Sequence, residues 1–178
     1  MNEALWIRVF CSYTRDYVAI GEWLLDVEEM GPEETIRQAK KLVETRGRPP
    51  DAITLGFSPQ VLVAALALRG PPLVVVTSPE VKLGKKSMAL LSHNALKIFR
   101  DYVDLVVAPL TPSGPMGPED IIMNLADVLS GVRARGAKIL DVSGGPQLVP
   151  IAALRAGFRH LTYAYPTGQK VVFYEFRL

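Results

Sequence analysis

Two segments of the sequence combine the residue types that bind phosphate groups. Ser143-Gly144-Gly145 follows the apolar run Lys138–Val142, and Gly56-Phe57-Ser58 lies at the end of a second apolar run that begins at Ala52. Glycine lets backbone N–H groups come close to oxygen atoms, a serine hydroxyl donates directly, and a following helix N-terminus favours negative charge. Both segments therefore predict contacts to a phosphate-bearing ligand, although glycine and serine are also common in loops that bind nothing.

The elements expected to position these segments form an α/β fold. Four short runs rich in β-branched residues are apolar on consecutive positions, as in parallel strands covered on both faces by helices. These predicted strands are Ala52–Phe57, Leu73–Thr77, Asp104–Leu110 and Lys138–Val142. The predicted helices are Pro59–Leu68, Lys86–Tyr102, Pro118 to about Gly136, and Gln147–Ala156. This alternation predicts right-handed crossovers and a Rossmann-like parallel sheet with helices on both faces.

Both ends of the chain depart from that alternation. His160–Tyr165 and Lys170–Phe176 flank a turn-forming group and predict a C-terminal antiparallel β-hairpin at the edge of the sheet. Three elements are predicted near the N-terminus: a strand at Leu5–Tyr13, a hairpin (or a short helix) at Tyr17–Val27, and a helix at Glu33–Arg46. We expect a single domain, in which residues 1–50 form a strand and helix extension of a core at 51–178.

The candidate binding residues follow the predicted strands on one rim of the sheet. In open parallel sheets, ligands bind beyond the carboxyl ends of the strands. Leu110–Gly114 belongs to this rim, as does the basic loop after the second core strand. The predicted ligand-binding residues are Gly56, Phe57, Gln60, Thr77, Ser78, Lys85, Ser143, Gly144, Gly145 and Gln147.

Composition excludes several classes of protein. No apolar run reaches the ~18 residues of a membrane span, and no basic N-terminal region suggests a signal peptide. The single cysteine, Cys11, cannot form an internal disulfide framework and indicates a reducing, cytoplasmic compartment. A net charge of +2 argues against a dedicated duplex-DNA binder. The 14 prolines, set against few asparagines and glutamines, favour a thermophilic source.

The sequence does not match the common nucleotide-binding, metal-binding or catalytic motifs. Leu83–Ser87 resembles the end of a P-loop, but Pro79 stands where that motif has its first glycine, and no G-x-G-x-x-G follows a strand. His93 and His160 have no metal-ligand spacing, and no carboxylate cluster indicates a metal. Asp141 is expected to hold the glycine turn by accepting backbone N–H bonds. Neither a metal nor a cofactor is therefore predicted.

Two motifs in order resemble the CRISPR-associated Rossmann fold (CARF) domain. The segment 53–60, Ile-Thr-Leu-Gly-Phe-Ser-Pro-Gln, is similar to the family's first strand and loop, with the pattern T-L-G-x-S-P. The segment 141–145, Asp-Val-Ser-Gly-Gly, resembles its later D-[hydrophobic]-[ST]-G-G loop. The similarity covers about residues 51–178.

The resemblance implies a ligand and an assembly. CARF domains bind cyclic oligoadenylates, which are second messengers of type III CRISPR defence, across the two-fold axis of a homodimer. Stand-alone members of this size include ring nucleases, which cleave cyclic tetra-adenylate without metal and thereby switch the signal off. A ribose 2′-hydroxyl attacks the adjacent phosphate, so the protein supplies in-line geometry and charge stabilisation.

The resemblance assigns one catalytic residue by position, and a second is expected because it follows the terminal hairpin turn and can reach the rim. Ser58 matches the serine of the first loop and would orient ribose or phosphate, while Ser143, Gly144 and Gly145 match the second loop. Gln147 stands where the family often has a basic residue, so we expect the cation to come from elsewhere, with Lys170 as the leading candidate. A non-catalytic cyclic-oligoadenylate sensor, and a small Rossmann-like enzyme acting on another nucleotide, remain alternatives.

Overall fold

Residues 1–111 and 114–178 are described by a computed structural model, in which seven strands form one sheet. Residues 112–113 of the predicted rim lie outside the described part. The strands are β1 (Val43–Arg46), β2 (Ala52–Leu55), β3 (Leu73–Thr77), β4 (Val103–Val107), β5 (Ile139–Gly144), β6 (His160–Pro166) and β7 (Val171–Arg177). The helices are α1 (Glu3–Val9), α2 (Tyr17–Met30), α3 (Pro32–Lys40), α4 (Gln60–Arg69), α5 (Pro79–Leu83), α6 (Ser87–Ile98), α7 (Pro118–Ala134) and α8 (Leu148–Arg155).

The strand order confirms the predicted α/β fold with a mostly parallel sheet. The order is β1-β7-β6-β5-β2-β3-β4, and β2 to β6 run parallel to their neighbours among themselves. The chain proceeds outward from β2 to β3 and β4 and then returns to β5, on the other side of β2. The strand order therefore reverses between β2 and β5, which is where open α/β sheets bind ligands.

Helices cover the two faces of the sheet unequally. One hydrophobic cluster contains buried residues of α1 to α6 together with Ile53, Leu55 and Val75 of the strands. The second cluster contains residues of α7 and α8 together with strand residues that point to the opposite face, such as Ala52 and Leu140. Six helices thus contribute to one face and two to the other, in agreement with the predicted two-sided arrangement.

The N-terminal predictions of a strand and a hairpin are wrong. Residues 3–9 form α1 and residues 17–30 form α2. Asp16 caps α2 by accepting hydrogen bonds from the backbone N–H groups of Val18 and Ala19. Apolar residues buried at helical spacing stabilise both helices, because Trp6 and Trp23 pack edge to face with ring centroids 5.6 Å apart.

The predicted helix at 33–46 is correct only in its first part. It is α3, which ends at Lys40, and residues 43–46 turn into strand β1. This strand pairs in parallel with β7, and the backbone N–H of Arg48 just beyond it donates to Glu175 Oε1 at 3.0 Å. The β6–β7 hairpin is confirmed, but it does not lie at the sheet edge as expected, because β1 covers β7.

The remaining helices agree with the sequence pattern except at their ends. The helix predicted at 86–102 is α6, which ends at Ile98 and is followed by a short 3₁₀ turn at Arg100–Tyr102. Pro118 begins α7, where its missing N–H costs no hydrogen bond. Within residues 1–111 and 114–178, no helix is both long and apolar enough to cross a membrane.

Candidate functional site

A cleft of about 430 Å³ opens at the carboxyl ends of the central strands, where the strand order reverses. Its lining comes from six parts of the chain: the segments that follow β2, β3, β4 and β5, the start of α6, and the α1–α2 loop with the first turn of α2. The lining residues are Arg15, Tyr17, Ile20, Gly56, Phe57, Ser58, Ser78, Glu80, Lys86, Met88, Leu110, Thr111, Ser143, Gly144, Gly145 and Pro146.

The glycines at the floor of this cleft are required by close approach of the backbone. A Cβ on Gly56 would collide with the carbonyl oxygen of Gly144, and a Cβ on Gly144 would collide with the carbonyl oxygen of Thr54. A Cβ on Gly145 would lie 2.5 Å from Val149 Cγ2. Packing of β2 against β5 thus explains Gly56 and Gly144, whereas Gly145 makes room for a side chain of α8. The glycines also leave the backbone of both loops uncovered by side chains.

Asp141 holds the second glycine loop in place, as the sequence predicted. Its Oδ1 accepts hydrogen bonds from the backbone N–H of Ser143 at 3.0 Å and from the Ser143 hydroxyl at 2.5 Å. Its Oδ2 accepts one from the Thr162 hydroxyl at 2.7 Å. Burial raises the pKa of Asp141 to about 6, although these hydrogen bonds act in the opposite direction. The carboxyl group is fully buried and does not reach the cleft.

The hydroxyl groups near the cleft differ in whether they already make hydrogen bonds within the protein. Thr77 Oγ1 donates to the carbonyl oxygen of Leu55 at 2.7 Å, and Ser78 Oγ caps α5 by accepting from Val81 N–H. Ser143 Oγ, besides its bond to the aspartate, accepts from Ala164 N–H at 2.8 Å. Ser58 is half-buried in the lining, and its hydroxyl makes no hydrogen bond to another described residue. Of these four hydroxyls, it is the one best able to contact a ligand.

The loop between α1 and α2 adds a cation that the sequence reasoning missed. Arg15 lines the cleft, and Tyr13, two residues earlier, has a φ of 46° that turns the loop. Gln60 ties this loop to the start of α4, because its Nε2 donates to the carbonyl oxygens of Val9 at 3.4 Å and Thr14 at 3.2 Å. Gln60 is fully buried, so its predicted role as a ligand contact becomes one of positioning Arg15.

Three lysines near the rim occupy different environments. Lys86 lines the cleft, whereas Lys85 beside it does not. Lys170 lies outside the lining, and its Nζ is 2.5 Å from Glu44 Oε1 in an exposed ion pair with β1. Among the described residues, no carboxylate lies within ion-pair distance of Arg15 or Lys86, so these two are the cations of the cleft.

The cleft brings together just over half of the predicted site residues. Those in its lining are Gly56, Phe57, Ser58, Ser78, Ser143, Gly144 and Gly145. Those outside it are Gln60, Thr77, Lys85, Gln147 and Lys170. Gln147 is exposed at the start of α8, beyond Pro146. Of the residues not predicted, Arg15 and Tyr17 carry no motif, and only correct assignment of α1 and α2 could have pointed to them.

The chemistry available in the cleft is that of hydrogen bonding and positive charge. Two cations and the Ser58 hydroxyl line the cleft together with two glycine loops, an arrangement suited to binding and orienting phosphate groups. Within the described ranges, no three histidine, cysteine or acidic side chains are arranged to hold a metal ion. Glu80 is the one acidic residue of the lining.

Comparison with known proteins gives no family for this chain. No protein-family model matches the sequence, and no curated protein matches it either.

Proposed function

We propose that this chain binds a cyclic oligoadenylate, with cyclic tetra-adenylate as the leading candidate, at the cleft between β2 and β5. The observation that carries the proposal is the meeting of the two CARF-like segments. They are 80 residues or more apart in sequence, yet Leu55 of the first segment pairs with Gly144 of the second in adjacent parallel strands. Both loops line one cleft at the reversal of strand order, together with Arg15 and Lys86.

The charge of the cleft supports an anionic ligand. The CARF-like loop lacks the expected basic residue at Gln147, and Pro146 removes one N–H donor. Arg15 and Lys86 provide positive charge in the same cleft by another route. Arginine matches phosphate geometry with two parallel donors, while lysine contributes a compact charge.

The activity proposed for this site is metal-independent cleavage of the ring. A ribose 2′-oxygen forms a bond to the adjacent phosphorus while the bond from phosphorus to the 5′-oxygen breaks. The 2′-hydroxyl proton leaves as the 5′-oxygen gains one, and the product is linear with a 2′,3′-cyclic phosphate. In this proposal Ser58 orients the reacting ribose, and Arg15 or Lys86 stabilises charge on the phosphate oxygens. The ligand spans two chains of a homodimer.

A non-catalytic sensor is the second candidate, and one observation favours it. The Lys170 side chain, expected to support catalysis, is held by Glu44 at 2.5 Å, outside the cleft lining. A site with only two cations and Ser58 could bind a ring tightly without cleaving it. A sensor would bind the ring, change conformation and pass that state to a partner.

Incubation with radiolabelled cyclic tetra-adenylate in EDTA distinguishes these proposals. A ring nuclease is expected to convert the ligand to a linear product with a 2′,3′-cyclic phosphate at high temperature. Intact ligand after long incubation, with a rise in Tm on titration, would support the sensor instead. A Tm raised by other nucleotides, with no response to cyclic oligoadenylates, would contradict both proposals and favour a different nucleotide enzyme.

A further inference from the structure

Part of the sheet presents aromatic side chains to solvent. Leu161 of β6 is buried in the hydrophobic cluster of α7 and α8, and Tyr163 and Tyr165 follow it at intervals of two, so they lie on the same face. In β7, Tyr174 pairs with Tyr163 and Phe176 with Leu161, which places both on that face. These four aromatic residues, which we call the aromatic face, are 40–54% exposed. Sheets of this class normally bury both faces, so an exposed aromatic patch indicates an interaction surface.

The aromatic face is arranged in rows along the strands. Phe176 lies in the first row, and Tyr163 and Tyr174 lie in the second, about 7 Å further along. Tyr165 follows in the third row. Arg46 of β1 is in register with Tyr174, so the second row continues with a guanidinium group. Exposed aromatic side chains on an open sheet bind single-stranded nucleic acids by stacking on successive bases, and arginine contributes positive charge and stacking.

Positive charge is concentrated in the part of the chain that builds this face. Residues 142–178 contain four lysines and arginines and one acidic residue, a net charge of +3, whereas the whole chain has +2. Arg159 extends β6 by one residue, because its carbonyl oxygen accepts from the backbone N–H of Leu178 at 2.8 Å. It stands two residues before Leu161 and therefore lies on the side of the aromatic face. Arg155 is in the last turn of α8, close to Arg159 in sequence.

The two arginines are not neutralised by the described residues. Among these residues, no carboxylate lies within ion-pair distance of Arg155 or Arg159. Glu175, the one acidic residue of 142–178, is on the opposite face of the sheet, and its side chain is only 5% exposed. Glu44 borders the third row, but its Oε1 is 2.5 Å from Lys170 Nζ. The positive charge beside the aromatic face is thus available to an anionic ligand.

We propose that the aromatic face, together with Arg155 and Arg159, binds single-stranded RNA. Bases stack on the aromatic rings, and the two arginines contact phosphates of the same strand. The three tyrosine hydroxyls make no hydrogen bond to a described residue and can bind the ribose 2′-hydroxyl, which DNA lacks. A protein partner with an apolar surface would instead bury both arginines without a counter-charge, which is costly.

This surface is separate from the cleft, and the inference goes beyond the proposed function. None of the aromatic residues lines the cleft, and neither arginine does. The cleft opens at the carboxyl ends of the central strands, whereas Arg159 precedes β6, which runs parallel to β5, and so lies at the amino ends. The ligand is a linear strand of any sequence, because every base has a face for stacking. RNA binding and cyclic-oligoadenylate binding can therefore be lost independently.

Fluorescence anisotropy with a fluorescein-labelled RNA of 12 uridylates tests the proposal. Uridylate is chosen because it lacks the adenine bases of the ligand proposed for the cleft. The wild type is expected to bind with a Kd of about 10 µM at about 50 mM salt, and log K should fall with log salt with a slope of about −2, as for three phosphate contacts. A DNA strand of 12 deoxyuridylates is expected to bind more weakly.

Substitutions separate stacking from charge. Tyr163→Leu with Tyr174→Leu keeps apolar side chains but removes two rings, and should raise the Kd at least 10-fold. Tyr163→Phe with Tyr174→Phe should retain DNA binding and lose the preference for RNA. Arg155→Gln with Arg159→Gln should raise the Kd about 10-fold and reduce the salt slope by about 1.4. The matched control is Arg100→Gln, which removes an arginine with an 84% exposed side chain near the opposite sheet edge and should bind as the wild type does.

Photo-crosslinking of the unsubstituted protein keeps the test informative if a variant misfolds. A strand that contains 4-thiouridine is expected to attach within residues 155–177, and the cleft variant Arg15→Glu with Lys86→Glu should give the same crosslink and the same Kd. The proposal is overturned by absence of binding at 100 µM wild-type protein, by crosslinks confined to the cleft loops, or by equal Kd values for the wild type and the tyrosine-to-leucine variant. Burial of this face against a protein partner would overturn it as well.

Discussion

The cleft has two walls that are built in different ways. One, which we call the backbone wall, consists of Gly56, Gly144 and Gly145 at the ends of β2 and β5, where a Cβ atom would collide with neighbouring atoms. The other, the side-chain wall, consists of Arg15, Tyr17 and Lys86, which belong to segments that pack over the sheet. The backbone wall is set by folding, while the side-chain wall can change with little effect on it.

The two walls therefore owe their residue types to different causes. A glycine-rich loop after a strand suggested phosphate binding from the sequence, but strand packing alone accounts for Gly56 and Gly144. The cations of the side-chain wall are exposed and serve no packing role, so the proposed function assigns them to ligand binding. Substitutions in the backbone wall should therefore affect stability, and those in the side-chain wall should affect binding.

Gly144→Ala is expected to have the largest effect. Its Cβ would overlap the Thr54 carbonyl oxygen, and neither backbone can move without breaking the β2–β5 pairing. We expect the free energy of unfolding to fall by about 3 kcal/mol, measured by chemical denaturation. The control is Gly131→Ala in α7, where a Cβ meets nothing within 4 Å and should raise stability by about 0.5–1 kcal/mol. Equal stability of the two variants would refute the packing explanation.

The network beneath the backbone wall should make stability depend on pH. Because burial raises the pKa of Asp141 from 3.8 to about 6, the folded state binds the proton more tightly than the unfolded state. Its contribution is then fully present below about pH 4 and is lost as the pH rises through 6. The expected decline is about 2–3 kcal/mol.

Comparison with Asp141→Asn isolates this contribution. Unfolding free energies at pH 4, 5, 6 and 7 should decline in the wild type relative to the variant. Glu175 has the opposite sign, because the Arg48 backbone N–H is the main cause that lowers its pKa to about 2. Its stabilisation is lost as the pH falls from about 4.5 towards 2, and it cancels in the comparison because Glu175 is present in both the wild type and the variant. Parallel curves for the wild type and Asp141→Asn would contradict the assigned ionisation.

Replacement of the side-chain wall should weaken binding and leave stability unchanged. Arg15→Gln is expected to raise the Kd for cyclic tetra-adenylate about 10- to 30-fold, as for loss of one charge-assisted contact. The matched variant is Lys170→Gln, which removes a cation held by Glu44 outside the cleft lining. A larger loss of affinity in Lys170→Gln than in Arg15→Gln would assign the phosphate contact to Lys170, as expected from the sequence. It would contradict the proposed role of Arg15.

Thr77→Val should have the smallest effect. The Thr77 hydroxyl is buried and donates to the Leu55 carbonyl oxygen, so valine leaves that oxygen without this partner. We expect a loss of about 1 kcal/mol in the free energy of unfolding and no change in ligand affinity. A marked change in ligand affinity with unchanged stability would indicate that Thr77 contacts the ligand, as the sequence predicted.

The core of the fold could be predicted because its patterns are local. Strands such as Leu73–Thr77 are continuous apolar runs, and Pro118 marks the start of α7. Helix α2 could also be predicted from the sequence, because its buried residues Ile20, Trp23 and Val27 have helical spacing. The hairpin prediction for Tyr17–Val27 ignores that spacing, whereas the short-helix alternative agrees with α2. Strand β1 was beyond local reasoning, because its sequence Val-Glu-Thr-Arg becomes a strand only through pairing with β7.

The candidate site was predictable in its loops but not in its cations. Gly56, Ser58 and the residues around Gly144 follow strands, so topology alone brought them to one rim. Arg15 reaches the cleft through the α1–α2 loop, which depends on the hydrogen bonds of Gln60 to that loop. No sequence pattern carries such long-range placement. Lys86 differs, because it belongs to the basic loop after the second core strand, which the sequence placed at the rim.

The most direct test of the account is calorimetric titration of cyclic tetra-adenylate into the wild type and into Arg15→Glu with Lys86→Glu. We expect the wild type to bind one ring per two chains, with a Kd raised at least 100-fold in the variant and an unchanged Tm. Linear tetra-adenylate serves as a control of similar charge and should bind more weakly. Absence of binding by the wild type at 100 µM ligand, or equal affinity in the variant, would contradict the proposal that this cleft is the cyclic-oligoadenylate site.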